Sequence, residues 1–465
     1  MRLEERRLHM VARSEETLSV HSSGSPVATK LQRIAEKARK TPGFQFTSLY
    51  HLMNEELLRG CFQRLRKDAA AGIDEMTKAE YAENLESNLV DLVGRLHRMA
   101  YIPQAVRRKY IPKPGSAKLR PLGIPCFEDK LVQAGLVRIL ESIYENDFIG
   151  DSYGFRPGRS CHDALRALSL TMERRPINHI VEADIKGFFD NVNQEWLMKF
   201  LGHRVEDKRI QRMVKRILKA GVSEDGSVTV SDDGTPQGGV ISPLLANIYL
   251  HYALDLWFER VYRKRCMGYA RLIRYADDFV VCFQYKADAE QFREELVERL
   301  GKFSLEVEPT KTKVIEFGRF AVRNAKQKGK RAETFDFLGL THYCGTRRYG
   351  NGFRMKRVTA RKKFVAKVKA FKEWLRSNRT LPTKDIWKTT ISKLRGHYNY
   401  YGVTDNYRGI LRFGQSVCRL LFRWFNRRGR RRCLNWEKFN EFLKRFPLPK
   451  PRILVSMIGV PANTM

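Results

Sequence analysis

No run of 18 or more apolar residues occurs in the 465-residue sequence, so no segment reads as a transmembrane helix. The opening MRLEERRLHMVARSEE has no apolar centre, which excludes a secretory signal. The eight cysteines (Cys61, Cys126, Cys161, Cys266, Cys282, Cys344, Cys418 and Cys433) never form a CxxC pair. That scatter argues against a zinc site and a secreted disulfide framework, and fits reduced thiols in a cytoplasm. There is no internal repeat and no coiled-coil heptad pattern. Acidic residues are scarce: 51 Asp and Glu face 87 Lys and Arg, a formal net charge of +36. Folding gains nothing from such self-repulsion. The excess points to a polyanionic partner, either nucleic acid or an anionic membrane, and with no membrane segment nucleic acid is the better match.

What is present is enough apolar text, 43% of residues, for large cores, and enough length for two or three domains. Residues 1–45 are polar and irregular and read as a flexible leader or a marginal helix. From 46 the text becomes globular. Leu49, Leu52, Leu57, Leu58, Phe62 and Leu65 recur at helical spacing, and after a Gly72-Ile73-Asp74 turn so do Leu85, Leu89, Leu92 and Leu96. Residues 106–125 read as a basic hairpin turning at Pro114-Gly115. Strand-like runs follow at 179–189 and 271–283. Between them a helix is expected to start with Ser242 as N-cap and Pro243 as first residue, with Leu245, Ile248, Tyr249, Tyr252 and Leu256 as its apolar stripe. Residues 319–331 contain no acid and read as a basic loop. Beyond 357 the chain reads as helical and basic, with Phe364, Val368, Phe371 and Leu375 on one face.

The sharpest local feature is Tyr275-Ala276-Asp277-Asp278, two carboxylates between apolar runs. Strand interiors disfavour Asp, so the pair suggests the tip of a hairpin. Alone, a plain Asp-Asp turn is an equal reading. Asp184 lies in a second apolar strand, IVEADI, on the face opposite Ile185. Buried carboxylates need partners, and no His or Cys ligand pattern is near. Hard divalent cations answer that need, Mg²⁺ best. Two such ions, roughly 3.5–4 Å apart, can clamp the attacking and leaving oxygens of a phosphoryl transfer. Lys113 and Arg120 on the basic hairpin are suited to phosphate; a solvated charge run is the other reading.

These residues belong to an ordered set of blocks: AAAGIDEMT at 69–77, YIPKPGSAKLRPLGIP at 110–125, DSYGFRPGRSCHDAL at 151–165, VEADIKGFFDNV at 181–192, GTPQGGVISPLLANIYL at 234–250, RYADDFVV at 274–281, LEVEPTKTKV at 305–314 and FDFLGL at 335–340. In this order they resemble the reverse transcriptase/maturases encoded by bacterial group II introns, from about 46 to 455. The resemblance implies an α+β right-hand polymerase: fingers, a palm with an antiparallel sheet, a helical thumb, and a basic helical maturase region. It implies N-terminal extension helices at 46–105, fingers and palm at 106–355, thumb and maturase domain X at 356–430, and a basic DNA-binding-like segment at 431–465. Asp184, Asp277 and Asp278 match the catalytic aspartates. Asp184 and Asp277 would be the main metal ligands, with Asp278 and the Ile185 carbonyl supporting. Lys113 and Arg120 match triphosphate-holding residues, and Phe189 the aromatic gate that selects dNTPs. Gln237 and Gly238 match the loop under the nascent base pair, and Phe337, Leu338 and Gly339 the segment that holds the primer end.

The carboxyl-terminal part adds a second expectation. Residues 419–432 hold seven arginines and no acid: Arg419, Arg423, Arg427, Arg428, Arg430, Arg431 and Arg432. Trp424 and Phe425 lie among them, a mixture suited to structured RNA. Tyr398, Tyr400 and Tyr401 either stack on RNA or pack the helices. The implied protein is an RNA-directed DNA polymerase using two Mg²⁺ ions and dNTPs. Its implied partners are group II intron RNA, an RNA template with a DNA primer, and target DNA, at the nucleoid of a bacterial cytoplasm and not at a membrane. Many relatives end in an endonuclease domain with paired cysteines and an HNH-type histidine cluster. Neither pattern occurs here, so no protein endonuclease domain is expected. An intron-free reverse transcriptase in DNA repair or phage defence, and an RNA-binding splicing cofactor with secondary polymerase activity, are the alternatives.

Overall fold

The computed structural model describes residues 26–112, 119–224, 227–229, 234, 238–347, 352–428 and 434–458, the side chains of Pro112, Arg427 and Arg428 excepted. The expected turn at Pro114-Gly115 lies outside them, as do Lys113, Gln237, Arg430, Arg431, Arg432 and Cys433. The other seven cysteines are free thiols.

The strands are β1 Val106–Pro112, β2 Leu119–Ile124, β3 His179–Asp184, β4 Val222–Glu224, β5 Ser227–Thr229, β6 Ala270–Tyr275, β7 Asp278–Phe283, β8 Lys313–Glu316, β9 Phe335–Phe337, β10 Leu340–Thr346 and β11 Phe353–Thr359. They form three sheets, ordered β2-β1-β4-β5, β6-β7-β3-β8 and β11-β10-β9. The second sheet is the palm, and its pairings are antiparallel.

The palm strands are apolar on both faces because both faces are covered. Alternation sends Val181, Ala183, Leu272, Phe279, Val281 and Phe283 into one core, with helices Phe127–Tyr144, Gln194–Gly202, Ser242–Leu250 and Lys286–Gly301. It sends Ile180, Ile273, Val280, Cys282 and Ile315 into a second core, with helix Cys161–Arg174, β9 to β11 and the C-terminal helices. Helix Phe127–Tyr144 is buried on nearly every side, Asp129, Lys130 and Gln133 included. The arrangement is the α+β right hand that the block order implied.

Several local expectations need correction. Pro26–Lys40 is a helix with Val27, Leu31 and Ala38 buried, so it packs as part of the body. Arg204, ion-paired to Asp147 at 2.7 Å, donates to the carbonyls of Ala38 and Phe44 and ties that helix down. Asn54 caps a new helix, Glu55–Arg64, and so splits the long helix expected after 49. At the central helix Ile241 takes the cap position without a side-chain bond, and Ser242 is already helical. That helix continues through π turns at His251–Asp255 and Phe258–Tyr262. The wider turn moves burial from the expected Tyr252 and Leu256 to Ala253, Leu254 and Asp255. The basic loop at 319–331 contains a short helix, Ala321–Gln327.

Candidate active site

The two acidic motifs meet at the open end of the palm sheet. β6 and β7 form a hairpin whose turn is Ala276-Asp277, and Asp278 is the first residue of β7. In the β3–β7 register Asp184 is directly opposite Asp278. Opposed residues share a face, with Cα atoms roughly 4.5–5.5 Å apart. One hairpin turn and one strand end thus bring Asp184 to Asp277 and Asp278, which lie 93 and 94 residues further along the chain.

Asp184 is not the buried carboxylate the sequence suggested. Its side chain is 43% exposed and ion-paired to Lys311 Nζ. The pairing holds the ammonium charged, raising the Lys311 pKa. Lys311 was missed because a lysine in PTKTK reads as a solvated charge. The block had been singled out without a role, and only tertiary structure brings it to Asp184. Ile185 is buried and bridges Val307. The bridge's bonds run from Lys186 N to Glu306 O and from Glu308 N to Asp184 O, so they do not use the Ile185 carbonyl.

The FDFLGL motif reaches the same edge. Leu338 and Gly339 join β9 to β10 with φ of +50° and +75°, the pattern of a tight hairpin turn. The Leu338 amide donates to Asp278 Oδ2 at 3.4 Å. From the other side Tyr400 Oη donates to the Leu338 carbonyl at 2.9 Å. The helix Thr383–Tyr401 therefore touches the turn that touches the acids. Tyr398 and Tyr401 are buried, so the three tyrosines pack.

Phe188 is buried, and Phe189 stands half-buried against it, ring centroids 5.3 Å apart. Gly234 packs on the Phe189 and Asp190 carbonyls, where a Cβ would come within 3.0–3.2 Å. A Cβ on Gly238 would lie 2.4 Å from the Gly123 carbonyl, so that loop abuts β2 of the fingers. Arg120 lies half-buried on β2.

The arginine-rich segment is divided. Arg419 and Arg423 are exposed on helix Tyr407–Arg428, on one side with Arg408 and Arg412, which sequence reading passed over. Trp424 and Phe425 pack against the second core, and Phe425 stacks on Trp387 at 6.3 Å. Trp424 and Phe425 are packing residues, while Arg419 and Arg423 face outward.

The donor set at the palm edge is all oxygen and partly open to solvent, which fits a hard divalent cation and not a soft one. Among the described residues no three His, Cys, Asp or Glu side chains already converge.

Residues 111–342 match the family model described as reverse transcriptase (RNA-dependent DNA polymerase). The chain is 36% identical over 277 residues to Protein YkfC of Escherichia coli K12, covering 52% of this chain and 71% of that protein. This chain belongs to the reverse transcriptase family. Within it the likeness is to proteins of group II introns. It is 40% identical over 230 residues to the group II intron-encoded protein LtrA of Lactococcus lactis, covering 49% of this chain and 38% of LtrA. It is 28% identical over 175 residues to the nuclear intron maturase 2, mitochondrial, of Arabidopsis thaliana, covering 29% of this chain and 23% of that one. The aligned segment spans less than two fifths of LtrA. Reverse transcriptases as a family use divalent metal ions. Among the described residues no helix is long and apolar enough to cross a membrane.

Proposed function

We propose that this protein is an RNA-directed DNA polymerase that also binds a group II intron RNA and promotes its splicing and mobility. The observation that carries the reading is the meeting of Asp184, the Asp277-Asp278 hairpin and the Leu338-Gly339 turn at the open end of one sheet.

Asp184 and Asp277, with the Ile185 carbonyl, hold the metal, and Asp278, bonded to the Leu338 amide, supports them. Two bound Mg²⁺ ions would supply positive charge to the attacking and departing oxygens of phosphoryl transfer. Lys311 pairs with Asp184 and orients its carboxylate. Phe189 blocks a 2′-hydroxyl, so dNTPs are the substrates. Lys113 and Arg120 hold the triphosphate, and Gln237 lies under the nascent base pair. Phe337, Leu338 and Gly339 hold the primer end. Arg419 and Arg423, with Arg427, Arg428, Arg430, Arg431 and Arg432, bind the intron RNA through its phosphates. Target DNA is the destination of the copied strand.

The two activities separate in one variant. Asp277→Ala is expected to abolish primer extension while leaving RNA-binding affinity and splicing assistance at wild-type levels. Loss of both together, in a folded protein, would refute separate palm and RNA-binding sites. Extension that survives the substitution would refute the palm assignment.

A further inference from the structure

The acidic turn rests on a buried structure that the polymerase chemistry leaves without a role. Ala276 is held at φ +57°, a conformation that an L-residue with a Cβ adopts only when its surroundings impose it. The two-residue turn between paired Tyr275 and Asp278 requires it, and the group that bonds the turn's carbonyl is Arg274. Its side chain and that of Asp255 are both fully buried. Arg274 Nε and Nη2 clasp the Asp255 carboxylate at 2.8 and 2.5 Å. Nη2 also donates to Ser152 Oγ at 2.8 Å, and Nη1 to Asn247 Oδ1 at 3.0 Å. The remaining bond, from Nη1 at 2.9 Å, goes to the carbonyl of Ala276 itself. All five guanidinium N–H groups are used.

The surroundings are shaped to this end. Asp255 closes the π turn His251–Asp255, and that wider turn is what sets a carboxylate on the buried side of an apolar helix. Residues 151–154 run along β6: the Arg274 amide donates to Asp151 O at 3.0 Å, and the Tyr153 amide to Arg274 O at 2.9 Å. Gly154 lies so close beneath the turn that a Cβ there would be 2.2 Å from Ala276 N. Asn247 Nδ2 fixes the Gly154 carbonyl at 2.7 Å. A buried ion pair contributes little net stability compared with an apolar replacement, so stability alone does not account for it. Its specific product is one backbone carbonyl held in place next to Asp277.

We propose that Arg274, locked by Asp255, is a positioning residue: it fixes the Ala276 carbonyl, hence the direction of Asp277, and so sets the affinity of the acidic edge for its divalent cation. The proposal rests on the polymerase reading, but its test does not depend on turnover. Arg271 supplies the internal control. It is on the same strand and ion-paired to Asp151 at 2.7 Å, and its bonds go to Asp151 and Thr171, away from the turn.

The test is Mn²⁺ binding to the full chain without nucleic acid, read by electron paramagnetic resonance, with primer extension and melting temperature alongside. Lysine at 274 keeps a charge against Asp255 but cannot also hold the Ala276 carbonyl. Arg274→Lys is expected to weaken Mn²⁺ binding about tenfold. It should lower kcat per folded molecule about 10- to 100-fold, with the dNTP KM within about twofold. Arg271→Lys should lower the melting temperature and leave Mn²⁺ affinity unchanged. Wild-type Mn²⁺ affinity in Arg274→Lys, or a loss equal to that of Arg271→Lys, would overturn the proposal. If Arg274→Lys does not fold, Ser152→Ala decides. It trims one hydroxyl from the clamp and should weaken Mn²⁺ binding about threefold, and unchanged affinity would overturn the proposal. A wild-type protein that binds Mn²⁺ but extends no primer counts against the polymerase reading instead.

Discussion

Two side chains illustrate how single residues carry the account. Phe189 has little freedom, because Phe188 behind it is buried and T-packed on Tyr249 at 6.4 Å. A smaller residue at 189 should open the space that a 2′-hydroxyl needs. Phe189→Val is expected to lower the dNTP-over-rNTP preference in kcat/KM by about tenfold or more; unchanged sugar selectivity would remove the gate assignment. Asp207 is a structural counterpart. Its carboxylate accepts four backbone N–H groups, from Leu49 at 2.7 Å, Tyr50 at 2.8 Å, Arg209 at 2.9 Å and Ile210 at 3.3 Å. Burial alone raises its pKa, but the four amides together outweigh burial and hold it below the usual carboxylate value. A depressed folded pKa gives stability that is present above the unfolded pKa, about 3.9, and lost as pH falls through the folded one. Asp207→Asn should therefore cost about 2–3 kcal/mol near neutral pH, and the gap should narrow below about pH 4. Chemical denaturation across that range measures it; a gap that widens in acid would contradict the assignment.

Elements were legible where one rule dominated. The YADD hairpin and β3 stand out because strands covered on both faces are apolar throughout, so an Asp in them is conspicuous. Arg274 and Asp255 carried the same signal, a charge inside apolar text, yet neither was read as one of a pair. They lie 19 residues apart on a helix and a strand, and only the π turn aims them at each other. Lys311 gave no such signal. On helix Tyr407–Arg428 the arginine count was legible but its division was not, since burial of Trp424 and Phe425 depends on Trp387 and the second core. The exposed arginines make this helix testable as a phosphate-binding element. Arg419→Ala with Arg423→Ala should weaken binding to structured RNA and reduce the salt slope of log K by about 1.5–2. An unchanged slope would place the RNA surface elsewhere.

At the scale of the molecule, the +36 charge and the two-core palm say the same thing from opposite directions. The charge repels itself and so calls for a polyanion, while a sheet covered on both faces leaves the open end of its strands free for chemistry. That end carries the acids. Block order made the right hand legible in advance. The packing of Pro26–Lys40 on the body was not, because its few apolar residues only acquire meaning once the surface they meet exists. The most direct measurement is extension of a DNA primer annealed to an RNA template by the purified chain, with dNTPs and Mg²⁺, beside Asp277→Ala. The account predicts full-length DNA from the wild type and none from the variant. No extension by a folded wild type, or equal extension by both, would contradict it.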